Sequence, residues 1–179
     1  ALSFLRCGRR DVTVAHFHHG SSHSQEAFDF VEKFCRHRDI PFISQRIESR
    51  SRNGESPEEF WRNERYKFFD SLDGYVVTGH NLDDVSEWWI FSSLHGHAKV
   101  IPYRRNNVIR PFLMTPKSRL LDWCVQKDVP FIVDPSNFNE SYMRSIVRHK
   151  IMPEALRVNP GLRTVLRKKI ESEKPPQLN

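Results

Sequence analysis

YVVTGHNLDDVSEWWIFSSL, from Tyr75 to Leu94, is the stretch on which the reading of this chain turns. Tyr75-Val76-Val77-Thr78 is a short apolar, β-branched run and predicts a buried strand. Gly79 punctuates it, and a helical pattern follows. On a helix, residues three, four and seven positions apart share a face. His80, Asp83, Asp84 and Glu87 are therefore expected to crowd the first turns, at the carboxyl end of a strand. In open α/β sheets that is where ligands bind. Trp88, Trp89, Phe91 and Leu94 are expected to anchor the helix through a stripe of their own.

Two readings of the acidic cluster compete. In one, Asp83 and Asp84 cap the helix and complement its dipole. In the other, the cluster suits a magnesium ion or the positioning of a nucleophilic amine. Capping requires neither the histidine nor the glutamate, which favours the second.

Working outward, Val12 to His16 predicts another strand, ending in His16-Phe17-His18-His19-Gly20. Ser24 is a candidate cap for a helix from Gln25 to Arg38, with Phe28, Val31, Phe34 and Cys35 inward. Ile40 to about Ile47 predicts a third strand. Strand, helix, strand at this spacing is a βαβ unit and implies a parallel sheet. The histidine run invites a metal, but no cysteine or carboxylate stands near it at zinc spacing. A histidine-rich loop over a pocket, or plain surface, is preferred.

Glu48 to Ser56 reads as a surface loop. Ser56-Pro57-Glu58-Glu59 starts a helix to Leu72, with Phe60, Trp61, Phe68 and Phe69 as core. Arg62 and Arg65 lie close together on it, on what reads as a surface ion-pair face, Glu58 with Arg62. Val100–Tyr103 and 107–109 predict a hairpin around Arg104-Arg105-Asn106-Asn107. Thr115 is expected to cap a helix starting at Pro116, which carries Leu120, Leu121, Trp123, Cys124 and Val125. Val129 to Val133 is a last apolar run. Arg144 and Arg148, four apart, are expected to point the same way from a helix that ends at Ile151-Met152-Pro153. Such a pair suits a phosphate or a carboxylate. Leu162 to Ile170 is a basic amphipathic segment, and Glu173 to Asn179 reads as disordered.

The 179 residues suffice for one domain with a core. No run approaches the length of a membrane span, and no signal peptide is visible. A net charge of +6 favours a polyanionic partner, nucleic acid above all. Cys7, Cys35 and Cys124 are scattered and read as free thiols of a cytoplasmic protein. The chain opens on Ala1 with what reads as half a helix capped by Gly8, which leads us to expect a segment upstream.

His80-x-x-Asp83-Asp84-x-x-Glu87 resembles the H-x-x-D-D-x-x-E-T segment of the tRNA(Ile)-lysidine synthetases, in the PP-loop ATP pyrophosphatase superfamily; Trp88 replaces the threonine. Other segments are similar in the family's order. His16-x-x-His19-Gly20 resembles H-x-x-H-G-L, with Ser21 for leucine. Glu59-x-x-Arg62-x-x-Arg65-Tyr66-x-Phe68-Phe69 resembles a family helix. Ile109-Arg110-Pro111 with Lys117 resembles I-R-P-L-L-x-x-x-K. Asp134-Pro135-Ser136-Asn137 with Tyr142-x-Arg144 and Arg148 resembles D-P-S-N…Y-x-R-N-x-x-R, with Ser145 for asparagine. The resemblance spans about Ala1 to Pro160.

It implies an α/β, Rossmann-like PP-loop domain over 1–160: a parallel sheet with helices on both faces, and a basic helix and tail at 161–179. The family's phosphate loop, S-G-G-x-D-S, is expected just upstream of Ala1. The implied activity is that of a ligase using ATP and Mg2+ to join free lysine to C2 of the wobble cytidine in a tRNA of CAU anticodon. His80, Asp83, Asp84, Glu87 and Arg148 are the implied catalytic residues, with Asp84 and Glu87 in contact with the amine or with Mg2+. His16, His19, Gly20 and Arg110 border the nucleotide, and Arg62, Arg65, Lys117, Asn137 and Arg144 face the tRNA. A homodimer is one way for so small a domain to gain tRNA contacts.

Two alternatives remain open. A tRNA-binding protein without catalysis accounts for the substitutions at Ser21, Trp88 and Ser145. Another PP-loop enzyme, such as a tRNA thiolase, would normally need paired catalytic cysteines or a cluster ligand set, which Cys7, Cys35 and Cys124 do not supply.

Overall fold

A computed structural model describes residues 2–7, 11–20, 22–48, 56–133 and 143–172. The chain divides into two compact units, Ala1–Gly74 and Tyr75–Asn179.

The first unit is the expected βαβ, with shifted boundaries. After helix α1 (Leu2–Cys7) come strand β1 (Val14–His18), helix α2 (Ser22–Arg36), strand β2 (Phe42–Arg46) and helix α3 (Pro57–Asp70). β1 and β2 are parallel, in register from Val14 opposite Phe42 to His18 opposite Arg46. β1 therefore starts two residues later than its β-branched run suggests and takes in His16 and His18. The strand alternates. His16 and His18 both pack on the Phe28 ring of α2, at 5.7 and 6.2 Å between centroids. Phe17 meets Phe68, and His19 just beyond the strand meets Trp61. The histidines are part of the packing, not a solvated loop. α2 starts at Ser22, so Ser24 lies inside the helix and does not cap it. Ser56 does cap α3: its hydroxyl accepts from the Glu59 N–H at 3.2 Å, and Pro57 opens the helix.

The second unit holds strand β3 (Val76–Val77), helix α4 (Leu82–Leu94), strands β4 (Arg104–Arg105) and β5 (Val108–Ile109), and helix α5 (Lys117–Gln126). A continuous helical run follows: α6 (Met143–Ile146), a π-helical turn (Val147–Ile151) and α7 (Met152–Val158); helix α8 (Leu162–Ser172) ends it. β3 pairs with β5 in parallel and β4 with β5 antiparallel. The hairpin is tighter than expected, with only Asn106-Asn107 between its strands; Asn106 takes φ +53°, which asparagine tolerates.

The buried stripe of α4 is Leu82, Val85 and Ile90; of the four expected anchors, Trp89 and Phe91 pack against this core partly buried. Leu82 and Val85 are fully buried, whereas Leu94 is 66% exposed. Leu166, Leu162 and Ile170 of α8 share this core with Leu113, Val147 and Met152. Trp88 and Phe91 stack on each other at 5.7 Å along the flank. Ser86 fits the fully buried surface because its hydroxyl donates to the Leu82 carbonyl at 2.8 Å.

The helix after Arg148 does not stop at Pro153. The Met152 N–H donates to the Val147 carbonyl five residues back. Such a widened turn relaxes the crowding that a proline brings to an α-helix interior. α5 begins at Lys117 with Pro116 at its cap, not at Pro116 with Thr115, and no side chain of its own cap position bonds to it. None of its residues is buried: Leu121 and Val125 are 38% and 72% exposed. Phe131, Ile132 and Val133 are also exposed, and that apolar run forms no strand. No described helix is long and apolar enough to cross a membrane.

Candidate functional site

The end of β3 in the second unit gathers most of the chemistry. Asn81, which the sequence reading passed over, caps α4: its side-chain oxygen accepts from the Asp83 and Asp84 N–H groups at 2.9 and 3.4 Å. Asp84 Oδ2 accepts in return from the Asn81 N–H at 2.9 Å, completing a capping box. Asn81 to Asp84 carries the spacing of that pattern, so the signal was present. His80 precedes the cap and is not on the helix. Its Nδ1 lies 2.8 Å from the Thr78 hydroxyl.

Glu87, one turn on, is 5% exposed. A buried carboxylate requires a partner. Arg148 supplies a bidentate one, with Nε on Oε1 at 2.7 Å and Nη2 on Oε2 at 2.9 Å. The same Nη2 is 3.8 Å from Asp84 Oδ1. The Glu87 hydrogen bond raises the Arg148 pKa further, burial opposes it, and the charges of Glu87, Asp84 and Asp83 add to the rise. Arg148 lies in the π-helical turn, a local geometry frequent at functional sites.

Asp83 is occupied differently. Oδ2 accepts from the Lys117 N–H at 2.7 Å, and Oδ1 pairs with Arg163 of α8 at 2.6 Å. Asp83 thus caps α5 from outside. Arg163 lies eighty residues away and carries no local signal in the sequence.

Both capping and clustering are real here: Asp83 and Asp84 cap, and Arg148 joins Asp84 to Glu87. The set does not fit Mg2+ as found. Both Glu87 oxygens hold Arg148, and Asp84 Oδ2 is spent on the cap. Among the described residues no group of three or more His, Cys, Asp or Glu is placed to hold a metal ion.

Arg110 follows β5, is 2% exposed, and donates through Nη1 to the Pro102 carbonyl at 2.8 Å. Lys117 and Arg144 are exposed. Asn137 lies outside the described residues, as do Ser21, Gly8 and the 134–142 and 173–179 segments.

In the first unit, His18 is buried, its Nδ1 accepting from the Gly20 N–H at 2.9 Å and its Nε2 3.2 Å from Gln25 Oε1. That places its ring proton on Nε2. Gly20 has φ +85°, and a Cβ there would meet Ile47 at 3.4 Å. His16 Nε2 and His19 Nδ1 are buried without a hydrogen-bond partner among the described residues. Burial, then the charge of Arg65, then His16 and His18 lower the His19 pKa to about 4. Burial and His18 lower that of His16. Both rings are neutral at physiological pH. Arg65 is thereby placed near His19, whereas Arg62 lies over the Tyr66 ring at 5.8 Å.

Residues 3–155 match the model of the family described as PP-loop domain. Among individual proteins, the chain is 32% identical to a tRNA(Ile)-lysidine synthase of Thermosipho africanus over 139 residues, 73% of this chain and 31% of that one. It is 28% identical to that of Thermotoga maritima, over 83% of this chain and 39% of the relative. To that of Nitrosomonas europaea it is 29% identical, over 92% and 39%. The chain thus spans between 31% and 39% of the length of these relatives. A solved structure, the U34-tRNA thiolase NcsA from Methanococcus maripaludis with its [4Fe-4S] cluster, shares the fold. Its TM-score is 0.72 at 16% identity, over 94% of this chain and 65% of that one.

Proposed function

The chain belongs to the PP-loop domain family, and on that premise we propose that it is the catalytic domain of a tRNA(Ile)-lysidine synthetase-like ligase acting in the cytoplasm. The substrates are ATP, free lysine and a tRNA of CAU anticodon. The observation that carries this reading is the Asp84–Arg148–Glu87 arrangement at the start of α4.

In the proposed reaction the cytidine C2 oxygen attacks the α-phosphate of ATP and pyrophosphate leaves. The lysine amine then attacks C2 and AMP leaves. Asp84 Oδ1, the oxygen not used in capping, receives the lysine ammonium. Glu87 fixes the plane and charge of Arg148, which faces the phosphate or adenylate oxygens. His80 takes the proton that the ammonium must lose before attack. Arg110 adds a fixed positive charge. His16, His19 and Gly20 border the nucleotide, with two unpartnered ring nitrogens available to it. Arg62, Arg65, Lys117, Asn137 and Arg144 contact the tRNA.

A second reading has one observation in its favour: every carboxylate at the start of α4 already has a protein partner. That is the condition of a tRNA-binding homologue without catalysis. A thiolase is disfavoured by Cys35, which is 1% exposed and whose thiol burial pushes up in pKa, away from the reactive thiolate.

The deciding experiment incubates the natural full-length protein with tRNA(Ile) of CAU anticodon, ATP and labelled lysine. Label in the wobble cytidine, dependent on ATP and lost in Asp84→Asn, is the expected result. Tight tRNA binding with no label moves the protein to the second reading.

A further inference from the structure

Asp83 has both carboxylate oxygens committed to the protein itself, and what it holds is informative. Oδ2 takes the first amide of α5, at Lys117, where the cap position is a proline that offers no side-chain acceptor. Oδ1 takes Nη2 of Arg163. One turn further along α8, Arg167 Nε donates to the Met114 carbonyl at 3.1 Å. From the other side, the Leu82 N–H donates to the Thr115 carbonyl at 3.0 Å. The short segment after Arg110 is therefore held at Met114, Thr115 and Lys117 by groups from α4 and α8. Leu162, Leu166 and Ile170 seat α8 in the core, so its two arginines are presented from a fixed backbone.

We propose that Arg163 is a positioning residue of the site. Acting through Asp83, it fixes the first turn of α4, and with it Asp84, relative to the segment that leads from Arg110 to Lys117. Three features point this way. Asp83 and Asp84 are adjacent in one helical turn, so moving one moves the other. The Arg163–Asp83 contact is short and charge-assisted, the kind of bond that sets geometry. And a preorganised site is sensitive to small displacements, a 1 Å misplacement costing on the order of a hundredfold in rate. Asp83 then acts through geometry, and its neighbour Asp84 acts on substrate. The inference rests on the ligase reading for its kinetic arm only.

The test compares Arg163→Ala and Arg163→Lys with the wild-type full-length protein, by two measurements. In lysine incorporation into tRNA, Arg163→Ala is expected to lower kcat by roughly tenfold or more with KM for ATP nearly unchanged, and Arg163→Lys to restore most of the loss. Amide hydrogen exchange is read at Lys117, with Ile90, buried in the body of α4, as the internal control. Arg163→Ala is expected to speed Lys117 exchange at least several-fold while Ile90 keeps its protection. A merely structural arginine would lower the melting temperature and leave kcat per folded molecule within about twofold, and that result overturns the proposal. Unchanged Lys117 exchange overturns it as well. Absence of activity in the wild type refutes the ligase reading, and Lys117 exchange then decides this proposal alone.

Discussion

At the end of β1, imidazoles, phenyl rings and an indole share a half-buried space, and what charge the histidines could carry is suppressed. At the end of β3, carboxylates and guanidiniums share one, and the charge is kept by pairing. Both segments are a strand leading through a short loop to a helix. The difference lies in how each meets the cost of burying polar groups. Burial first, and then neighbouring positive charge, lowers the His16 and His19 pKa values. Around Glu87 burial is answered by a bidentate arginine. A neutral ring with an unpartnered nitrogen can accept or donate to a ligand without moving a charge. A paired carboxylate–arginine set presents a fixed charge at a fixed angle. The first material suits the lining of a nucleotide site and the second suits the reacting groups.

The comparison predicts its largest effect at Arg148. Arg148→Ala leaves Glu87 buried and unpaired, a situation that costs about 3–5 kcal/mol. Thermal or urea unfolding will show it, and lysine incorporation should fall by at least about a hundredfold. Adding Glu87→Gln to that variant removes the stranded charge and should recover much of the stability but none of the activity. If the single variant unfolds like the wild type, the charged region is not held together as described here.

Leu166→Ala tests the support of the charged region without touching a charge. Leu166 is fully buried. Its truncation is expected to cost about 2–5 kcal/mol. Since α8 carries Arg163, activity should fall with stability, and a temperature at which the variant is fully folded should restore most of it.

The histidine region is predicted to answer to pH. The His19 pKa falls from 6.5 unfolded to about 4 folded. Between these values the unfolded chain binds more protons, so stability rises with pH through that window. The contribution is present above about pH 6.5 and is lost as the pH falls toward 4. The urea midpoint should drop over this range, and His19→Gln should flatten the drop. An equal drop in His19→Gln would assign the acid sensitivity elsewhere.

How much of this was legible varies with distance along the chain. The βαβ unit and the β3–α4 segment follow from local period and punctuation, and the structure shows both. The boundaries of β1 were missed because histidine was read as a loop residue, whereas a neutral imidazole packs on Phe28 much as an aromatic ring does. The α4 anchor is legible only in part: Trp89 and Phe91 pack against the core, but its fully buried members Leu82 and Val85 are outweighed in bulk by the aromatic residues, and burial follows the helix face. The run through Pro153 was missed because a π-helical turn has no simple sequence mark. At the site, His80, Asp83, Asp84, Glu87 and Arg148 are singled out from one sequence; Asp84, Glu87 and Arg148 do meet, while Asp83 turns to Lys117 and Arg163. The Asp83–Arg163 pair was out of reach, since nothing local announces a partner eighty residues away.

The smallest predicted effects compare the two regions through their helix caps. Ser56 caps α3 in the first unit by one bond of 3.2 Å from an exposed position. Asn81 caps α4 in the second from a site 9% exposed, with two amides on its oxygen and Asp84 answering its own N–H. Cap losses run from about 0.5 to 2 kcal/mol. Water can replace the hydroxyl of Ser56 but reaches the Asn81 amides poorly, so Ser56→Ala should fall near the lower figure and Asn81→Ala near the upper. The two also differ in consequence. Asn81→Ala releases Asp84 from its box, so activity should fall more than the stability loss explains. Ser56→Ala should leave turnover per folded molecule unchanged. Equal costs with equal turnover would mean that the capping box holds the helix without holding the site.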